Sequence, residues 1–136
     1  MISFNSEIEF SLENEEGIAK WISMVIITEG FKEGNINYVF CDDDYLHKLN
    51  VEFLKHDTLT DIISFDYTIG KVIQGDVFIS VERVEENAKE YKVSFLDELH
   101  RVMVHGVLHY CGYKDKSAQD KTEMRGKENR YLGVLG

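Results

Sequence analysis

The sequence predicts an α+β fold: a small mixed β-sheet packed with about five helices. Two observations carry this expectation. Strand-like and helix-like runs follow one another in the order β-α-β-α-β-β-α-α-α, so the helices gather behind the last strand. One late run, Ser94 to Cys111, is apolar round most of its circumference, which marks a central, buried helix. At 136 residues the chain is long enough to bury such a core as one domain spanning residues 1–136.

The chain has no proline, so breaks between elements are read from Gly, Asn and Asp. Ile2 to Phe10 reads as a first strand. Glu13 to Glu29 reads as an amphipathic helix: Ile18, Trp21, Ile22, Val25 and Ile26 form one apolar stripe, and acids fill the first turn. Gly30 and Gly34 bracket a loop, and Ile36 to Phe40 alternates as a strand does. Asp42, Asp43 and Asp44 supply an N-cap and first-turn acids for a helix to about Leu54, with Leu46, Leu49 and Phe53 inward.

Thr60 to Tyr67 and Lys71 to Val81 are strand-like runs that meet near Gly70, a hairpin. Glu82 to Tyr91 forms a short polar helix. Ser94 caps the central helix, with Asp97 three residues on. Ser117 caps a last helix that ends near Gly133.

Composition bounds the function. Hydrophobic residues make up 43% and charged residues 29%, the balance of a soluble globular protein. No apolar run reaches the roughly 18 residues of a membrane span. The first residues lack the basic flank and apolar core of a signal peptide, so the cytoplasm is the expected compartment. Cys41 and Cys111 form no CxxC pair and read as buried thiols.

A net charge of −10 opposes a nucleic-acid partner, but it is unevenly spread. Residues 1–61 hold 13 acids and 4 bases, whereas residues 92–136 hold 6 acids and 8 bases. The last third is the only section that is not acidic, which permits local phosphate contact.

That section carries the chemistry. His105 and His109 sit four apart in the run His105-Gly106-Val107-Leu108-His109, so a helix places both imidazoles on one face within reach of one metal ion. Gly112 can end that helix in the left-handed conformation and turn the chain back, bringing Asp115 toward the same point. Two imidazoles and one carboxylate, with positions left open, describe a catalytic metal site better than a closed structural one. His105, His109 and Asp115 are therefore the expected metal ligands, at the end of the central helix. The alternative is two satisfied core histidines and an ordinary surface aspartate between Lys114 and Lys116.

The other candidates fall away. His47 lies on a polar helix face and reads as surface. His100 is about 140° round the helix from His105 and Cys111 about 200° from His109, so neither shares the site. His56 lies in a loop that could carry chemistry. Gly106 costs roughly 1 kcal/mol of helix propensity and implies close approach of a backbone or ligand. It also stands where zinc proteases of the HExxH type place their general-base Glu, which disfavours that mechanism.

The run from His105 to Asp115 resembles the signature of the YbeY family, bacterial rRNA maturation factors described as single-strand-specific metallo-endoribonucleases. The family pattern is His-Gly-x-Leu-His, then Gly-Tyr, then a third histidine. Leu49-Asn50, Asp57, Thr60-Asp61-Ile62-Ile63-Ser64-Phe65, Gly75-Asp76-Val77-Phe78-Ile79-Ser80, and Met124 with Glu128 extend the likeness over roughly residues 36–132. The resemblance implies a compact α+β fold and one zinc ion. It also implies a role in 16S rRNA 3′ end maturation and ribosome quality control, with ribosomal RNA and the small ribosomal subunit as partners.

His105 and His109 match the first two ligands, and the resemblance gives them the catalytic role. Asp115 stands where the family usually has its third histidine; a carboxylate ligates zinc but leaves Ni, Fe or Mn open. Leu54 stands where the family usually has an arginine, a phosphate clamp by its chemistry. Lys55 and His56 are the adjacent substitutes. Asp61 or Asp76 is the expected partner orienting a ligand histidine. Lys114, Lys116, Lys121 and Arg125 are placed to meet an RNA backbone, and Tyr113 to stack a base. Two other readings stay open: a metal-dependent hydrolase of another substrate, and a non-catalytic ribosome-assembly factor with a structural metal.

Overall fold

A computed structural model describes residues 1–54 and 60–135. Its elements are β1 (Ile2–Ser6), α1 (Glu15–Thr28), β2 (Lys32–Cys41), α2 (Asp43–Leu54), β3 (Ile62–Asp66), β4 (Val72–Ser80), α3 (Val81–Tyr91), α4 (Phe95–Tyr110) and α5 (Ala118–Leu135). The strands form one mixed sheet in the order β1-β2-β4-β3. β1 and β4 run parallel to β2, and β3 pairs antiparallel with β4 across the expected hairpin. The architecture is the α+β arrangement read from the segment order.

Strand alternation sorts side chains to two faces. Ile36, Tyr38 and Phe40 of β2, with Ile73, Val77 and Ile79 of β4, join the main core with α1 and α4. Cys41, Ile63, Phe65 and Phe78 point the other way and meet Leu46 and Leu49 of α2. The inward stripe of α1 is buried as read, as are Leu99, Val102, Met103, Val104, Val107 and Leu108 of α4. The Tyr38 hydroxyl, fully buried, donates to the Met103 carbonyl oxygen at 2.9 Å and ties the sheet to α4.

Several local expectations change. The first strand stops at Ser6, because only Ile2 to Ser6 finds a ladder partner on β2. β2 begins four residues earlier than read, at Lys32. It absorbs Gly34 in an irregularity between Glu33 and Ile36 instead of ending in a loop. Phe53 is 58% exposed, and buried Asn50 takes the inward position on α2 instead. His47 is half-buried on α2, across the sheet from α4. Gly106 makes room for the sheet rather than for a backbone or ligand: a Cβ there would lie 3.0 Å from Ile62 Cδ1 and 3.3 Å from Val77 Cγ1.

Gly75 marks a tighter approach. A Cβ there would collide with the Phe65 carbonyl oxygen and the Tyr110 hydroxyl, which itself donates to Phe65 O at 3.0 Å. Gly75→Ala is expected to cost about 1–3 kcal/mol by overpacking. Urea unfolding checks this; an unchanged midpoint would show that β3 and β4 part freely there.

Candidate metal centre

Ser94 starts α4 by accepting from the Asp97 N–H at 3.1 Å. Its other end closes in a Schellman arrangement. Gly112 takes φ +100°, its N–H donates to His109 O at 3.0 Å, and the Tyr113 N–H donates to Leu108 O at 3.1 Å. The chain therefore turns back over the last turn of α4, where His105 and His109 present their rings. Asp115 follows on the returning strand of chain, before Ser117 and Asp120 cap α5 reciprocally.

The three side chains converge. His105 Nε2 and His109 Nε2 lie 2.9 Å apart, and Asp115 Oδ2 lies 3.3 Å from each. One ligand atom from each falls within 4.8 Å of the others. Donors at about 2.0–2.1 Å from a single ion are separated by such distances.

The outer nitrogens decide what the inner ones are. His109 Nδ1 faces the Tyr113 carbonyl oxygen at 2.9 Å, which only accepts, so Nδ1 carries the hydrogen. His105 Nδ1 faces Glu128 Oε2 at 2.7 Å. Burial raises the Glu128 carboxyl, but His105 and Arg101 more than offset this and hold it below its usual range, so it too accepts. In neutral rings both Nε2 atoms are then bare lone pairs, aimed at each other and at a carboxylate. Three acceptors meet with no donor among them, an arrangement that calls for positive charge between them. Burial pulls the His105 imidazole down, yet Glu128, Asp115 and Asp61 pull it up further, so its net shift is upward. The field that draws a proton there draws a cation. The donor set fits a metal ion.

The ring-orienting partner expected at Asp61 or Asp76 is instead Glu128, with the Tyr113 carbonyl serving the second ring. Met124, Glu128 and Tyr131 form the buried stripe of α5, and α5 crosses α4 so that Glu128 meets His105 from 23 residues away. An acid on an inward helix stripe was the available signal. Arg101 was missed as well; its Nη1 donates to Glu128 Oε1 at 2.9 Å and its Nη2 to Asn129 Oδ1 at 2.8 Å. Asp61 stands nearby in the cavity beside His105, its carboxyl raised mainly by burial.

The remaining candidates sort plainly. His100 lines a separate cavity of about 660 Å³ whose walls include none of the three donors. Burial pushes the Cys41 and Cys111 thiols up to about 12, so neither is a thiolate ligand near neutrality. Lys114, Lys116, Lys121 and Arg125 are exposed, as phosphate contact needs. Tyr113 is committed to the protein rather than to a base: its hydroxyl donates to Glu29 Oε1 at 2.6 Å and Lys127 stands over its ring. Leu54 ends α2, whereas Lys55, His56 and Asp57 lie outside the described residues.

Glu29 supports this turn. Its side chain, 9% exposed, accepts from Tyr113, Tyr131 and Lys127. Burial raises its carboxyl, but the three donors outweigh that and its net shift is downward. A depressed carboxylate stabilises the fold above its unfolded pKa and loses that contribution as pH falls through the folded value. Glu29→Gln is therefore expected to unfold at lower temperature than the parent at pH 7, with the gap narrowing as pH falls below the ordinary carboxylate range. A gap independent of pH would show that shape, not charge, holds Tyr113.

The fold and the site together define a class: an α+β protein that presents an open His-His-carboxylate cluster at the end of its central helix. The Endoribonuclease YbeY family model matches residues 2–136. The endoribonuclease YbeY of Flavobacterium johnsoniae is 63% identical over 135 residues, 99% of this chain and 97% of its own. That of Flavobacterium psychrophilum is 58% identical over 135 residues, 99% and 96% of the two chains. The solution structure of TM1509 from Thermotoga maritima matches with a TM-score of 0.71 at 26% identity, covering 99% of this chain and 89% of that one. The chain belongs to the Endoribonuclease YbeY family. No helix among the described residues is long and apolar enough to cross a membrane.

Proposed function

We propose that residues 1–136 act as one metal-dependent hydrolase domain, a single-strand-specific endoribonuclease. It matures the 3′ end of 16S rRNA and serves ribosome quality control in the cytoplasm, on ribosomal RNA and the small ribosomal subunit. Family membership supports the RNA-cleaving activity. The convergence of His105, His109 and Asp115 on one point supports the metal, and is the observation that carries the reading.

His105, His109 and Asp115 would hold the ion, zinc by the family likeness, with Ni, Fe or Mn as the alternatives a carboxylate ligand admits. Once held, zinc supplies Lewis acidity, making water a usable nucleophile near neutral pH and polarising a phosphoryl oxygen. The chain does the rest. Glu128 and the Tyr113 carbonyl fix each ring with its Nε2 inward. Asp115, 44% exposed, leaves the centre open to solvent and substrate. The exposed bases Lys114, Lys116, Lys121 and Arg125 meet the phosphate backbone, at the one section of an acidic chain where its approach is not repelled.

The test is cleavage of single-stranded RNA, duplex RNA and a peptide by purified protein before and after chelation, with elemental analysis of the bound ion. Single-stranded RNA is expected to be cut, the activity lost on chelation and restored by zinc. Peptide cleavage in place of RNA cleavage would move the protein to another hydrolase class. Ribosome assembly that proceeds normally in cells with His105→Ala, the metal being lost, would make catalysis unnecessary, and unfolding on chelation would make the metal structural.

A further inference from the structure

We propose that the cavity beside the metal centre receives one base of the RNA strand and reads it through Glu98, guanine before uracil. This deepens the RNA-cleaving reading and rests on it. The cavity holds about 230 Å³ and its walls include His105 and Asp115, so a base seated there has its own phosphodiester beside the three converging donors. That volume lies under the about 300–1,000 Å³ of pockets for drug-sized ligands and suits a single base.

Glu98 is the telling side chain. It lines the cavity and is 5% exposed. It has no hydrogen bond or ion pair among the described residues. Burial raises its carboxyl, helped by Asp61, and the fields of Arg101 and Arg125 on the same wall offset this only in part. An acid in the first turn of a helix complements the dipole, but exposed Asp97 already does that without desolvation. The carboxylate oxygens are not shut away but reach the cavity, and a ligand that brings paired donors offsets their partial desolvation.

Base chemistry ranks the ligands. Guanine presents N1–H and N2–H side by side, which two carboxylate oxygens accept together. Adenine and cytosine each offer one amino donor beside a ring acceptor. Uracil offers a single N–H between two carbonyls, and a carboxylate repels both. Single-stranded RNA exposes these edges to protein. The exposed Tyr91 stands on the cavity wall as a stacking platform. Arg125, 58% exposed and no closer than 3.7 Å to Glu128, remains available to a phosphate. A second metal is the weaker occupant: among the described residues, ligand atoms gather only at His105, His109 and Asp115, and neither Glu98 nor Asp61 joins them.

The experiment is equilibrium titration of purified protein with 5′-GMP and with 5′-UMP, repeated on Glu98→Gln. The parent is expected to bind 5′-GMP at least about tenfold more tightly, the worth of one good paired contact. Glu98→Gln is expected to lose that ratio, because an amide donates as well as accepts and so suits uracil. It should keep its zinc content and unfold no earlier than the parent, since a desolvated charge has gone. Equal binding of the two nucleotides by the parent overturns the inference, whatever the variant does. A guanine preference that survives in Glu98→Gln overturns it too. Guanine preference without any RNA cleavage would sink the nuclease reading and leave the base site standing; cleavage with equal nucleotide binding would do the reverse.

Discussion

Replacing His109 with alanine is expected to remove the bound metal and lower RNA cleavage by more than about 10²-fold while leaving the fold in place. The ring supplies one of three inward donors, and two donors at an open, solvent-reached site hold an ion weakly. Its structural duties are slight by comparison. The ring is 29% exposed and, among the described residues, makes one hydrogen bond outside the cluster, from Nδ1–H to the Tyr113 carbonyl. Losing that bond costs about 0.5–1.5 kcal/mol, too little to unfold a domain of this size. His105→Ala is a poorer probe because it also strands the buried Glu128 carboxylate. Elemental analysis, single-stranded RNA cleavage and thermal unfolding of His109→Ala give the three readings. A variant that keeps one metal per chain and full cleavage would remove these residues from the reaction.

Glu128→Gln is expected to weaken metal binding about 10- to 100-fold, the usual cost of losing an outer partner of a ligand histidine. The carboxylate, 4% exposed, accepts from His105 through one oxygen and from Arg101 through the other. An amide keeps the shape. Its charge is gone, so His105 becomes a less basic ligand, and its NH₂ offers a donor where both partners also donate. Metal-free Glu128→Gln is expected to lose about 1–3 kcal/mol in urea unfolding, as the Arg101 guanidinium loses its charged partner. Arg101→Met separates the two roles: it breaks the ion pair and leaves the His105 contact. Stability should fall in both variants, and metal affinity chiefly in Glu128→Gln. Equal metal affinity in all three proteins would make Glu128 a packing residue only.

Much of the architecture was legible because local rules and tertiary packing agree. The stripe Ile18, Trp21, Ile22, Val25 and Ile26 is buried, Ser94 and Ser117 cap where capping chemistry put them, and β3 and β4 pair about the Gly70 turn. The errors fall where a partner distant in the chain chooses. Phe53 stays 58% exposed because it reaches only the rim of the second core, edge-on to Phe65, while Leu46 and Leu49 close that core. The first strand ends at Ser6, opposite Phe40, one residue before β2 itself ends at Cys41.

The same division runs through the site. His105, His109 and Asp115 lie within 11 residues, and a helix followed by a left-handed glycine turn is local geometry, set by spacing and by the freedom of Gly112. Residue order alone therefore announced that these three side chains converge. Their setting was decided by packing. Glu128 reaches His105, Arg101 grips Glu128, and Glu98 faces the cavity beside them only because α5 lies across α4 while α4 lies on the sheet. Periodicity shows that a helix has a buried face, but which foreign side chain meets it depends on how that helix crosses its neighbours, and no local rule carries that angle.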